Sequence, residues 1–102
     1  MSRKDKLLKR ILTLPKNFTY DEAVSLLASF KFFEIKTGKT SGSAVRFKND
    51  EFPYVPVVFH KPHPGNELKV YVLRIIITAL IKCDLIEEET ENNENEERND
   101  TE

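Results

Sequence analysis

The chain has 102 residues, a single cysteine and a formal charge of −1 at neutral pH. That length suits one domain with a modest core, and one cysteine can form no internal disulfide and fits a reducing compartment. The basic N-terminus MSRKDKLLKRIL has its apolar residues broken by Lys9 and Arg10, so neither a signal peptide nor a membrane span is expected, and the cytoplasm is the expected location. The small net charge hides an asymmetry: residues 87–102, EEETENNENEERNDTE, hold nine acids against one arginine. Taking these from the totals of 17 acids and 16 bases leaves eight acids against 15 bases in residues 1–86, a formal charge of +7. A basic body of this kind suits a partner rich in phosphates. The tail has no aromatics and high like charge, so it is expected to be disordered, with the domain confined to residues 1–86.

In chain order, Leu7, Leu8, Ile11 and Leu12 recur at helical spacing and predict a short helix over residues 4–13, which Leu14-Pro15 ends. Thr19 and Glu22 then form a capping box, and Ala23, Leu26, Leu27 and Phe30 predict a helix over residues 20–30. From Phe32 the period becomes two, with Phe33 and Ile35 expected inward and Glu34 and Lys36 outward. Gly38 and Gly42 mark a turn, in which Gly38-Lys39-Thr40 resembles half of a phosphate-binding loop. Such a loop needs a glycine five residues before Gly38, and that position is Phe33. The turn therefore reads as a hairpin.

A second strand follows, with Val45 and Phe47 on one face and Ala44, Arg46 and Lys48 on the other. Residues 49–53 turn the chain into a third strand over residues 54–61, where Pro56 predicts an edge position. A long helix is expected over residues 68–84. Its wheel gathers Tyr71, Arg74, Thr78 and Lys82 on one stripe and Leu73, Ile76, Ile77 and Leu80 opposite. The fold class is α+β: a three-stranded antiparallel sheet with helices on one face and an open face carrying Lys36, Ala44, Arg46, Lys48 and His60.

Three motifs occur in order: Gly42-Ser43 leading a strand to Phe47, His63-Pro64-Gly65-Asn66-Glu67-Leu68-Lys69, and Leu73-Arg74-Ile75-Ile76. Over residues 20–86 the chain resembles the HicA toxins of bacterial toxin-antitoxin pairs, also called YcfA-like proteins. The resemblance implies a double-stranded-RNA-binding-like α-β-β-β-α fold, here with an extra N-terminal helix. It also implies metal-independent cleavage of mRNA and neutralisation by a HicB-type antitoxin. The family typically has a catalytic histidine directly after Gly-Ser, and here that position is Ala44. An alanine moves no proton, and acid-base catalysis by a placed side chain is worth about 10²–10⁴ in rate, so impaired cleavage is expected.

The remaining histidines are the substitute candidates. His63 matches the family's second histidine and either moves a proton or shapes the loop between two prolines. His60 either donates to a phosphate or is an ordinary strand-end residue. Lys39, Arg46, Lys48, Lys61, Lys69 and Arg74 are the candidate RNA contacts, since A-form RNA is gripped through its backbone and 2′-hydroxyls. Ser43, with no histidine beside it, is assigned turn geometry and hydrogen bonding rather than nucleophilic attack. Phe30, Phe32, Phe33, Phe47 and Phe59 are spaced as core, which leaves Tyr54 and Tyr71 as candidate base stackers. Two histidines, one cysteine and no ligand-spaced carboxylates around them predict no metal site and no cofactor. Two further readings remain open: a non-catalytic RNA-binding module, and a protein-binding domain that engages an antitoxin-like partner through the apolar flank of the last helix.

Overall fold

A computed structural model of the chain describes residues 3–35, 44–62 and 65–87. The elements run α1 (Arg3–Leu12), α2 (Tyr20–Ser29), β1 (Phe33–Glu34), β2 (Ala44–Lys48), β3 (Val57–His60) and α3 (Val70–Lys82). This is the expected α-β-β-β-α order behind an additional N-terminal helix. The strands form one antiparallel sheet in the order β1-β2-β3. Among the described residues, no helix is long and apolar enough to cross a membrane. The 37–43 turn with Lys39 and Ser43, Lys36, His63 and the tail beyond Glu87 lie outside the described residues.

The capping box fixes where α2 starts. The Thr19 hydroxyl oxygen accepts from the Glu22 N–H at 3.1 Å, and the Glu22 carboxylate accepts from the Thr19 N–H at 2.9 Å, so two orphan donors of the first turn are satisfied. The same carboxylate takes a bidentate bond from Arg10 of α1, at 2.9 and 3.1 Å, while Arg10 also donates to the Asn17 carbonyl at 2.8 Å. One arginine thus ties α1 to the start of α2. The Arg10 hydrogen bond, with help from the Thr19 backbone, holds the Glu22 carboxyl below its ordinary pKa, against the opposing effect of burial.

The helices end by a shared device. Leu14, Lys31 and Asp84 adopt left-handed backbone, with φ of 54°, 69° and 59°. After α2 the Lys31 N–H donates to the Ala28 carbonyl and the Phe32 N–H to the Leu27 carbonyl; after α3 the Asp84 and Leu85 N–H groups repeat this with Ile81 and Leu80. These are Schellman closures, in which the residue after the left-handed one folds its side chain back onto the helix. Phe32 is accordingly 1 % exposed and belongs to the core.

That closure corrects the expected place of Phe33, while Glu34 is exposed as expected and Ile35 is half-buried. With Phe32 turned inward at the helix end, Phe33 points outward and is 59 % exposed, so it is not a core residue. β3 is also shorter than the expected 54–61. Bonds from the Phe52 N–H to the Asn49 carbonyl and from the Val55 N–H to the Phe52 carbonyl keep residues 49–55 in turns, and Pro56 precedes the strand rather than lying within it. β3 does lie at an edge.

The core fills the space between the sheet and the helices. Val45, Phe47, Val57 and Phe59 supply the covered face of the sheet, and Leu26, Leu27, Leu73, Ile76 and Leu80 meet them from the helices. Phe47 and Phe59 stack at 5.7 Å, and Tyr20 meets Phe59 edge-on at 6.2 Å. The predicted α3 stripe of Tyr71, Arg74, Thr78 and Lys82 is exposed, as its helical spacing requires. The buried Asn49 is the polar exception, at 2 % exposure. Its amide donates to the Phe30 carbonyl at 2.8 Å and its side-chain oxygen accepts from the Glu51 N–H at 2.8 Å, which joins the end of α2 to the end of β2.

Candidate nucleic-acid interface

The open face of the sheet is built by register. β2 pairs with β3 through Ala44 with His60, Val45 with Phe59, Arg46 with Val58 and Phe47 with Val57. β1 adds Phe33 opposite Lys48. Residues directly opposite on antiparallel strands share a face, so the solvent side carries three successive rungs: Ala44 with His60, Arg46 with Val58, and Lys48 with Phe33. All six side chains are exposed. The intervening rungs, Val45 with Phe59 and Phe47 with Val57, are buried.

The first rung sets two of the expected open-face positions directly opposite each other. Ala44 has His60 as its cross-strand partner, with Cβ atoms of such pairs about 4.5–5.5 Å apart. An imidazole on β3 therefore stands beside the space that a side chain on Ala44 would have entered. Arg46 lies diagonally from His60, at the ~7–8 Å separation of such neighbours, within reach of a phosphate held between them. Lys48 extends the cationic line and approaches Asp50 at 3.9 Å.

The other predicted contacts are spread more widely. Lys61 follows β3 and is exposed, with its ammonium 5.4 Å from the centre of the Tyr20 ring, toward the covered side. Lys69 is the N-cap residue of α3, exposed and making no side-chain capping bond. Arg74 belongs to the helix layer, where it lines a cleft with Tyr71, Ile75, Val55 and Pro56. It is therefore not gathered with Arg46 and Lys48. Tyr54 sits in the turn between β2 and β3 and Tyr71 on α3, both exposed but neither on a sheet rung. Phe33, read from sequence as core, is the aromatic that the open face does carry. The local signal that could have found it is the end of α2: once a left-handed residue closes the helix at Lys31, Phe32 must turn in and Phe33 out.

The region before α3 is anchored from the N-terminal side. Thr19 and Glu67 form an isolated antiparallel bridge, with the Tyr20 N–H donating to the Asn66 carbonyl and the Leu68 N–H to the Phe18 carbonyl, both at 2.7 Å. The segment Gly65–Leu68 is thus pinned to the start of α2. Gly65 has φ of 87°, a conformation that favours glycine, as the chain turns toward this bridge. Cys83 is buried, which raises its thiol pKa and keeps it a poor nucleophile. Among the described residues, no three of His, Cys, Asp and Glu come together as a metal-ligand group.

No curated protein and no solved structure matches the chain. A family model does, that of the HicA toxin of bacterial toxin-antitoxin systems, over residues 20–81. This span takes in α2, the whole sheet and nearly all of α3, leaves α1 outside, and covers more than half of the sequence. A basic sheet-and-helix domain with Ala44 on its open face therefore belongs to the HicA toxin family.

Proposed function

We propose that the chain is a toxin that grips RNA on its open sheet face and cleaves it without a metal, with His60 in the role of the missing family histidine. The observation that carries this is the pairing of Ala44 with His60 on the exposed rung beside Arg46. The cationic pair Arg46 and Lys48 supports backbone contact, since Lys and Arg neutralise the phosphates of single strands and duplexes alike. Its natural partner in this reading is a HicB-type antitoxin, as for the family.

The chemistry needs one imidazole and water. A neutral His60 takes the proton of the 2′-hydroxyl as that oxygen bonds to the adjacent phosphorus. The bond from phosphorus to the 5′ oxygen breaks, and the departing oxygen takes a proton from water. The resulting hydroxide is neutralised by the imidazolium, leaving a cyclic phosphate and a 5′-hydroxyl. Arg46 compensates the charge that builds on the phosphate oxygens. His63, outside the described residues, is the alternative candidate.

The test is cleavage of a long mRNA in the presence of EDTA by the protein and by its His60→Ala variant. The proposal expects cleavage by the parent and a loss of about 10²–10⁴ in the variant. Equal cleavage by both would move the chemistry to His63. No cleavage by either, with RNA binding retained, would make the chain a non-catalytic RNA-binding module.

A further inference from the structure

Phe33 presents most of its ring to water on a face that also carries Arg46 and Lys48. A ring left in water on an open polar face is apolar surface that a ligand covers with a gain in free energy. Beside it lies a cleft of about 430 Å³, lined by Phe33, Lys31, Lys48, Glu34, Asp50 and Glu51 among others. That volume falls within the usual range for small-molecule sites, ~300–1,000 Å³.

From this arrangement we infer that the cleft is a subsite for one unpaired nucleobase of the RNA, stacked on Phe33. The inference rests on the reading of the open face as an RNA surface. Three features select this occupant. The ring offers the π-face on which an unpaired base stacks. Lys31 and Lys48 flank it with positive charge suited to the phosphates on either side of that base. Glu34, Asp50 and Glu51 repel phosphate and so favour the base rather than the backbone inside the cleft, where a carboxylate accepts from an exocyclic amine such as that of cytosine.

The subsite is continuous with the proposed cleavage position. Phe33 stands opposite Lys48, four residues along β2 from Ala44, or roughly 13 Å at ~3.3 Å per residue. One RNA strand can lie along the three rungs with a base held at one end and a phosphate beside His60 at the other. A duplex cannot use the cleft, because its bases are already stacked. The toxin therefore selects single-stranded segments of its RNA, and Phe33 sets the distance from the held base to the cut.

The experiment is binding of a short oligocytidylate at low salt to the parent and to Phe33→Ala, Phe33→Leu and Phe33→Trp. Phe33 is exposed, so these variants keep the fold, and thermal melts verify it. Removing a stacking ring is expected to weaken binding by about 5- to 150-fold in the Ala and Leu variants, with Trp retaining affinity. Binding of a blunt RNA duplex should not change among the four proteins. Parent-like affinity in Phe33→Ala overturns the subsite and leaves the patch as a protein-docking surface. Parent-like affinity in Phe33→Leu also overturns it, because contact alone would then suffice. If the parent itself binds no RNA, the reading of the whole face fails, an outcome distinct from a failure of the subsite alone.

Discussion

The two faces of β2 are made by alternate residues of one five-residue segment, yet they obey different demands. Val45 and Phe47 vanish into the core against Val57, Phe59 and the helices, while Ala44, Arg46 and Lys48 remain in water opposite His60, Val58 and Phe33. The covered face holds the strand in register, and register alone places His60 across from Ala44. Stability is thus concentrated on one side and the proposed chemistry on the other, so substitutions on the two faces should separate the two properties.

The largest effect on stability belongs to the covered face. Phe47→Ala removes a fully buried ring stacked on Phe59 and should cost about 3–5 kcal/mol in chemical denaturation. On the other face, Arg46→Ala should stay within about 0.5 kcal/mol of the parent in the same measurement. It should instead lower the salt dependence of RNA binding by about one phosphate contact. A large loss of stability from Arg46→Ala would erase the contrast between the faces.

Next in size is Asn49, which ends β2 and bonds the Phe30 carbonyl. Asn49→Ala leaves a buried carbonyl without its donor and should cost about 1–3 kcal/mol. Asp84→Gly acts in the opposite direction. Glycine relieves the left-handed backbone that closes α3 and should stabilise by about 0.5–1 kcal/mol, with RNA binding unchanged.

The smallest predicted change is in pH dependence. Arg10 holds the Glu22 carboxyl below its ordinary pKa in the folded protein. A depressed folded pKa contributes stability that is present above the unfolded carboxylate range and is lost as pH falls through the folded value. Glu22→Gln should therefore melt slightly below the parent at neutral pH, and the difference should shrink as the solution is acidified. A difference that grows with acid would contradict the assigned link between α1 and α2.

How much of this was legible in the sequence follows from how local each signal is. The capping box needed only Thr19 and Glu22, three residues apart, and the polar stripe of α3 needed only a 3.6-residue period. Both were readable. The outward place of Phe33 was not, because it depends on a left-handed turn at Lys31, a residue type that does not advertise that backbone. Asn49 carried no mark of burial, since its acceptor is supplied by a helix end 19 residues away. Ala44 and His60 were each assignable to the open face, but their direct opposition depends on how the 49–56 segment spaces β2 and β3. The open face was therefore legible in Ala44, Arg46, Lys48 and His60, and illegible in Phe33 and in its geometry.

That geometry is tested most directly by moving the imidazole across the rung. Cleavage of a long mRNA in EDTA would be compared for the parent, His60→Ala, and the double variant His60→Ala with Ala44→His. If the two positions serve one phosphate, the single variant loses cleavage and the double variant recovers most of it. A double variant as inactive as His60→Ala, or a His60→Ala variant as active as the parent, would contradict the claim that this rung carries the chemistry.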